Sequence, residues 1–311
     1  MKNILVCGYP SLDRIIKVDK ELKVGETSLV TNKNSGSIYY GGCSVNISSI
    51  LSRLGLISMP IIRVGDDFEK TKYKSFLLKH NVDLKGVKEI KGEKTSCSYL
   101  IELKNGDHIT LFSPGAMAQD YFEGYDEQLF ENAKVVIMTI NSMKDNLEII
   151  KLAKKYDLDI ILGMKLDRSG FTNDVIRDVM NQTKIIFANK EEAKELKNLF
   201  GFNNIKEFFK FERLDSFVVT RGKKGSTIYT RKNTIKIDTV EGKKIVDTTG
   251  AGDAYLSGFI FGYLNNRCYE TCGRYGSVLS SFIIEKMGCT TNIPTYDKFH
   301  KRYLKLYGVE K

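Results

Sequence analysis

Read by the spacing of its apolar positions, the chain alternates between two rhythms. Short continuous apolar runs occur at Ile4–Cys7, Met59–Val64, Val135–Thr139, Asp159–Leu162, Ile185–Ala188 and Phe217–Thr220. Unbroken runs of this length predict strands buried on both faces, as in a parallel sheet. Helical periods lie between them. Ile47, Ile50, Leu51 and Leu54 fall at i, i+3, i+4 and i+7, and Gly55 stands where a helix C-terminal glycine would. Strands alternating with such helices predict an α/β fold: a doubly wound, mostly parallel sheet flanked by helices.

Two segments depart from the alternation. Residues 15–30 hold short β-like pieces around Lys23-Val24-Gly25, and residues 95–112 read as a hairpin. Its arms are Ser98–Leu103 and His108–Phe112, joined through Asn105-Gly106, a dipeptide that tolerates positive φ. We expect these insertions, about 13–38 and 94–113, to form a small β-sheet lid on one domain spanning 1–311. The chain has four prolines and neither repeats nor low-complexity tracts that would mark a linker.

Composition narrows the chemistry. A chain of 311 residues, 42% of them hydrophobic, can bury one large core. No apolar stretch is long enough to cross a bilayer. The start, Met1-Lys2-Asn3-Ile4-Leu5-Val6-Cys7-Gly8, runs into Tyr9-Pro10 without a small-residue cleavage site, so it reads as a first buried strand. A cytoplasmic protein without a membrane partner is expected. The formal charge is +10, but the lysines are spread along the chain and mixed with acids, as in Lys190-Glu191-Glu192-Ala193-Lys194. That pattern fits a solvated surface that attracts anionic nucleotides better than a nucleic-acid interface. The six cysteines lack zinc-site spacing and read as reduced thiols, and the three histidines, in polar contexts, argue against a His-based metal site or triad.

The most informative stretch is Asp247-Thr248-Thr249-Gly250-Ala251-Gly252-Asp253. Its small residues open a helical pattern running to about Tyr263, in which Gly258 and Gly262 permit close packing. A glycine-rich turn at a helix N-terminus leaves backbone N–H groups free and adds the positive end of the dipole, which favours an anion. Asp253 sets a carboxylate beside that anion, which suits a group that takes a proton while phosphate charge is stabilised. An ordinary helix start with an N-terminal acid would read the same way in isolation. Neither a Walker A motif nor a Gly-x-Gly-x-x-Gly fingerprint is present: Gly92-Glu93-Lys94-Thr95 lacks the Gly-Lys pair, Gly222-Lys223-Lys224-Gly225-Ser226 has the wrong order, and Gly250-x-Gly252 is followed by Tyr255.

This stretch resembles the second signature of the ribokinase-like, or PfkB-type, carbohydrate and nucleoside kinases. Gly41-Gly42-Cys43-Ser44-Val45-Asn46 is similar to that family's first signature. The two motifs occur in family order and at family-like separation. Asp13, in Gly8-Tyr9-Pro10-Ser11-Leu12-Asp13, stands where the family places a substrate-binding acid. Asn189-Lys190-Glu191-Glu192 resembles the Asn-x-x-Glu element that holds phosphates and, through water, Mg²⁺. The strand and turn through Thr220, Gly222 and Gly225 resemble the nucleotide-receiving wall.

The resemblance implies an ATP-dependent phosphotransferase acting on the hydroxyl of a small sugar, with a nucleoside as the alternative acceptor. Asp253 would be the general base, Gly250, Ala251 and Gly252 the anion hole, and Asp13, Gly41, Gly42 and Asn46 the acceptor site. Asn189, Glu192, Thr220, Gly222 and Gly225 would take the nucleotide. Segments 112–117 and 281–294 look like the adenosine-kinase-like branch, and by that match Asp247, Thr249, Ile283, Gly288 and Asn292 would supply oxygens to K⁺. Tyr39, Tyr40, Tyr99 and Phe112 are candidates to clamp a base. Separately, the exposed edges of the β lid could pair with those of another copy, so a homodimer through the lid is the expected partner arrangement. A non-catalytic sugar- or nucleoside-binding homologue would be expected to have lost Asp253, the anion hole or Glu192.

Overall fold

The structure is a computed structural model that describes residues 3–105, 108–165 and 170–308. Met1, Lys2 and the turn residue Gly106 of the sequence reading lie outside the described residues.

The apolar runs become strands of a large sheet. Along the chain these are β1 (Asn3–Cys7), β4 (Ser58–Gly65), β5 (Val87–Ile90), β8 (Ala133–Met138), β9 (Asp159–Gly163), β10 (Thr183–Asn189), β11 (Ser216–Thr220), β12 (Ser226–Thr230) and β13 (Thr234–Ile237). Their spatial order is β13-β12-β11-β10-β9-β8-β1-β4-β5. Pairing is parallel from β11 through β5, and antiparallel where β12 and β13 extend the edge. The sequence reading missed β5, β12 and β13. β5 and β13 are the two edges of the sheet, where solvent-facing polar residues such as Lys88, Glu89 and Lys236 interrupt the apolar run, whereas β12 is paired on both sides and its buried Ser226, Thr227 and Thr230 break the run instead.

Alternation along each strand feeds two cores. Leu5, Val136, Ile160, Leu162 and Ile186 point to one face, under α3 (Glu127–Glu131), α4 (Met143–Lys155), α5 (Asn173–Val179) and α6 (Lys190–Phe200). Ile4, Val6, Val135, Ile137 and Ile161 point to the other, under α1 (Cys43–Arg53), α7 (Ala251–Leu264), α8 (Tyr269–Ile283) and α9 (Tyr296–Tyr307). In α1 the predicted stripe is buried and Gly55 takes positive φ just past the helix end. At Gly258 an added Cβ would stand 2.6 Å from the Tyr275 carbonyl oxygen, so this glycine sets how closely α7 and α8 pack.

The inserted segments form a second sheet, of β3 (Tyr39–Gly41), β2 (Ser11–Lys17), β6 (Cys97–Glu102) and β7 (His108–Ser113), in that spatial order. The expected hairpin is β6–β7, paired from Cys97↔Ser113 to Glu102↔His108. Of the β-like pieces in residues 15–30, the first belongs to β2, and the second meets it through a single bridge, Val18↔Val30. Strand β3 was not anticipated: three residues running into a glycine pair carry no periodicity. A helix α2 (Tyr73–Lys79) packs Tyr73 and Leu77 with Leu12 and Val45 into a third core under this sheet.

One buried ion pair ties the large sheet to the segment that follows the small one. Arg63 of β4 forks onto Asp145 of α4 at 2.7 and 3.0 Å and donates to the carbonyls of Ala116 and Met117 at 3.0 and 3.2 Å. Tyr125 and Ser142 hydroxyls also donate to Asp145. Breaking a buried pair strands the surviving charge, at a cost of about 3–5 kcal/mol. Asp145→Asn is therefore expected to lower urea-unfolding stability by that amount, and the double variant Arg63→Met/Asp145→Leu to lose clearly less. Equal losses for single and double variants would contradict the stranded-charge account.

Candidate active site

Strand β1 is flanked by β8 and β4, and the chain order reverses there. In such sheets ligands bind beyond the carboxyl ends of the strands at the reversal. The backbone at this point is tightly drawn. Thr139 sends both its N–H and its hydroxyl to the Cys7 carbonyl, at 2.9 and 2.8 Å. A Cβ on Gly8 would stand 2.1 Å from the Thr139 hydroxyl oxygen and 3.4 Å from the Ser44 nitrogen, so α1 begins directly above β1.

The pair Gly41-Gly42 makes that close approach possible. Gly42 holds φ 89°, and a side chain there would meet the Tyr9 carbonyl at 2.3 Å. At Gly41 it would fall 2.1 Å from Asp13 Oδ2. One turn into α1, Asn46 donates from Nδ2 to Asp253 Oδ2 at 2.8 Å, across 207 residues of sequence. Asn46 Oδ1 is buried without a hydrogen-bond partner among the described residues. The sequence reading aimed Asn46 at a hydroxyl of the acceptor, and the structure sets its amide on Asp253. The Cys43 thiol also lies against Asp253. Burial first, then that carboxylate, pushes it up to about 12.

Asp253 occupies the first turn of α7, which no side chain caps. Gly250 holds φ 78°, packed so that a Cβ would come 2.7 Å from that of Cys289. At Gly252 a Cβ would meet nothing within 4 Å, so the helix start opens on free space. The Ala251 N–H turns to the Thr248 carbonyl at 3.2 Å. Gly252 and Asp253, still in the first turn, have no acceptor within their own helix.

The face of the small sheet that carries Asp13 closes the other side. Register pairs Asp13 with Tyr39 and with Ser98, and Ser98 with Phe112, so the four share one face. Phe112 packs on Tyr9 with ring centroids 4.8 Å apart, and Tyr39 lies against Gly288. Of the other ring candidates, Tyr40 is stacked on Tyr73 in the third core, and Tyr99 sits under Arg14 on the opposite face. Asp13 is buried. The Ser11 hydroxyl donates to it at 2.5 Å, and Ser11 in turn meets Ser98 at 2.8 Å. Burial raises its carboxyl to about 6, with the Asp247 and Asp253 charges adding and the two serine hydroxyls opposing.

The remaining predicted positions sit along the same edge. Asn189 caps α6 by accepting the Glu192 N–H at 2.9 Å, and Glu192 returns Oε2 to the Asn189 N–H at 2.7 Å. Burial raises the Glu192 carboxyl, while the Asn189 N–H and Lys165 oppose the rise. Thr220 ends β11, and Gly222 and Gly225, both at positive φ, turn the chain into β12. Asp247 gathers the loop before α7: Oδ1 accepts the N–H and hydroxyl of Thr249 at 2.9 and 2.6 Å, and Oδ2 the Gly288 N–H at 2.8 Å. Ile283 adjoins through the Asp247 N–H to Ile284 O contact at 3.3 Å, and Asn292 donates to the Phe282 carbonyl at 2.6 Å. These positions thus gather toward one edge of the large sheet, whereas Tyr40 and Tyr99 of the ring candidates do not face it.

Two residues on this edge escaped the sequence reading. Asn141, just past β8, is fully buried, and neither atom of its amide has a partner among the described residues. Lys165, just past β9, shares an electrostatic environment with Cys43, Asp253, Glu192 and Cys289. A cation directly after a buried parallel strand was the available signal for Lys165. Asn141 offered none.

Asp13 yields a test with a defined sign. Its carboxyl is raised in the fold, to about 6, from about 4 in an unfolded chain. The native state is thus favoured below pH about 4 and loses that advantage as pH rises through about 6. The loss is on the order of 3 kcal/mol. Asp13→Asn is expected to melt higher than the parent at pH 8, with the difference shrinking toward pH 4. A difference independent of pH across that window would contradict the burial account.

Comparison with known proteins agrees with this fold. Residues 1–296 match the model of the pfkB family carbohydrate kinase. The chain is 31% identical over 305 residues to a nucleoside kinase of Methanocaldococcus jannaschii, covering 98% of each. It is 27% identical over 313 residues to a nucleoside kinase of Methanothermobacter thermautotrophicus, covering 99% of this chain and 98% of the other. The crystal structure of the M. jannaschii nucleoside kinase, described as an archaeal member of the ribokinase family, superposes with a TM-score of 0.85 at 28% identity, over 98% of this chain and 99% of that one. A Burkholderia thailandensis nucleoside kinase in complex with inosine shares the fold, with a TM-score of 0.85 at 22% identity and 99% coverage of both chains. A large, mostly parallel sheet with a small second sheet is thus the frame of a known enzyme class, and the chain belongs to the pfkB family of carbohydrate kinases, as an ATP-dependent phosphotransferase.

Proposed function

We propose that the chain phosphorylates a hydroxyl of a nucleoside, with Asp253 as general base. The observation that carries the reading is the 2.8 Å bond from Asn46 to Asp253, which joins the starts of α1 and α7 where acceptor and phosphoryl donor would meet. Asp13 and the Gly41-Gly42 turn hold the acceptor's hydroxyls. The acceptor hydroxyl exchanges with Asn46 for Asp253 and gives it its proton as oxygen attacks phosphorus in line. Backbone N–H groups at the start of α7, between Gly250 and Asp253, receive the transferring phosphoryl. Asn189, Glu192, Thr220, Gly222 and Gly225 line the nucleotide's path. The chain is one domain, and its small sheet is the lid.

The aromatic face favours a nucleoside over a free sugar. Tyr9 and Phe112 form a ring pair on the Asp13 side, and Tyr39 shares that face. A nucleobase uses such a surface through stacking, whereas a small sugar leaves it idle. Two relatives matched over nearly the whole chain carry the name nucleoside kinase.

Cation sites belong to the same reading. Among the described residues no cluster of three or more His, Cys, Asp or Glu side chains could hold a metal. Such an edge suits Mg²⁺ held mainly by phosphates and water, with Glu192 reaching it through water. Bound Mg²⁺ would neutralise phosphate charge. The oxygens of Asp247, Thr249, Ile283, Gly288 and Asn292 suit K⁺, with the Asp247 carboxylate engaged in drawing its loops together. The exposed Ile109 and Leu111 on the edge strand β7 support pairing of two lids in a dimer. Among the described residues no helix is long and apolar enough to cross a membrane.

Two measurements check the assignment. Asp253→Asn is expected to fold and bind ATP while kcat falls at least ~10²-fold; near-normal turnover would remove Asp253 from the role. In a panel of nucleosides and free sugars assayed for ADP release, nucleosides are expected to give the higher kcat/KM. A free sugar as the best substrate would return the acceptor to the carbohydrate class.

A further inference from the structure

Lys165 reaches the catalytic edge from a direction that neither glycine-rich motif supplies. Strand β9 ends at Gly163, where an added Cβ would stand 3.2 Å from Leu256 Cδ1 and 3.1 Å from Thr139 Cγ2. The strand's carboxyl end is therefore wedged between α7, one turn past Asp253, and the end of β8. Met164 continues the ladder, donating its N–H to the Phe187 carbonyl of β10 at 2.8 Å. β10 leads directly into Asn189 and Glu192. Lys165 is the next residue out of this wedge, between the start of α7 and the start of α6, and it is only partly exposed.

The charges around it are unbalanced for a phosphate site. Asp253, Glu192 and Asp13 all lie along this edge, and a γ-phosphoryl at the start of α7 would add further negative charge among them. Like charges in a partly desolvated cleft repel strongly unless a cation intervenes. Cys43 and Asp253, in that order, raise the Lys165 ammonium's hold on its proton against its burial. The Cys43 thiol is itself pushed up to about 12 and so is neutral near pH 7, which leaves Asp253 and Glu192 as the anions that balance Lys165.

We propose that Lys165 contacts the phosphoryl group during transfer, donating from its ammonium to a non-bridging γ-oxygen while Asp253 takes the acceptor's proton. In that step the acceptor oxygen–phosphorus bond forms and the bond from phosphorus to the β–γ bridging oxygen breaks. ADP leaves with the electron pair, the hydroxyl proton passes to Asp253, and Lys165 keeps its proton throughout. The inference rests on the kinase reading of the Asp253 site.

The test pairs kinetics with binding. Lys165→Met is expected to lower kcat ~10²–10³-fold, the usual effect of losing one donor to transition-state charge, with the acceptor KM within about twofold of the parent's. Lys165→Arg should recover part of the loss. A non-hydrolysable ATP analogue should bind Lys165→Met at least about tenfold more weakly than the parent, and ADP about equally well, because only the analogue carries a γ-group. Lys165→Gln carries the same comparison if the Met variant does not fold. A kcat within about threefold of the parent's, or equal weakening of ADP and analogue, overturns the proposal. If the parent transfers phosphate to none of the sugars or nucleosides, the kinase reading of the site falls, while the analogue-against-ADP comparison still decides whether Lys165 meets a γ-group.

Discussion

The hydrogen bond between Asn46 and Asp253 is the constraint on which the rest of the site depends. It joins the first turns of α1 and α7, two helices packed on the same face of the large sheet. For those turns to meet, α1 must begin almost on the backbone of β1, and α7 must begin against the segment around Cys289. Glycine satisfies both demands. Gly42 and Gly250 hold positive φ at points where a side chain would strike the Tyr9 carbonyl or Cys289. A residue with a Cβ at either point would push a helix start away and part the two side chains.

Around that bond the structure accepts electrostatic cost for function. Asp13 is buried beside two other carboxylates and is held by hydroxyls alone, so its ionised form is unfavourable. Arg63 and Asp145 show the opposite arrangement: a buried charge pair with its donors satisfied, which fixes the segment after the small sheet relative to β4. On the proposed function the first is a binding group waiting for partners, and the second is a strut. Local charge of the first kind, unmet within the protein, marks binding and catalytic edges more often than structural ones.

Much of this was legible in the sequence because its signals were local. The six predicted strands are buried parallel strands, whose unbroken apolar runs have few competing readings. The hairpin announced itself through strand-like arms about Asn105-Gly106. Both glycine motifs and Asp13 carried their resemblance on short contiguous stretches, and the structure places all of them at one edge. Less was legible where a residue's meaning depends on a distant partner. Asn46 pointed toward a hydroxyl, and its contact with a carboxylate 207 residues away had no trace in its own neighbourhood. Lys165 looks like any surface lysine until β9 is set between β8 and β10. The edge strands β5 and β13 were missed because half-solvated strands dilute their apolar positions, β12 because serine and threonine fill its buried positions, and β3 is too short to show a period.

The central claim is that the Asn46–Asp253 bond marks the meeting point of acceptor hydroxyl and γ-phosphoryl group. A crystal structure with a nucleoside and a non-hydrolysable ATP analogue bound together tests it most directly. The account predicts one acceptor hydroxyl within hydrogen-bond reach of the Asp253 carboxylate, other acceptor hydroxyls on Asp13, and the γ-phosphoryl group at the start of α7. An acceptor bound elsewhere, with Asp253 still held by Asn46 and no phosphate at the start of α7, would contradict it.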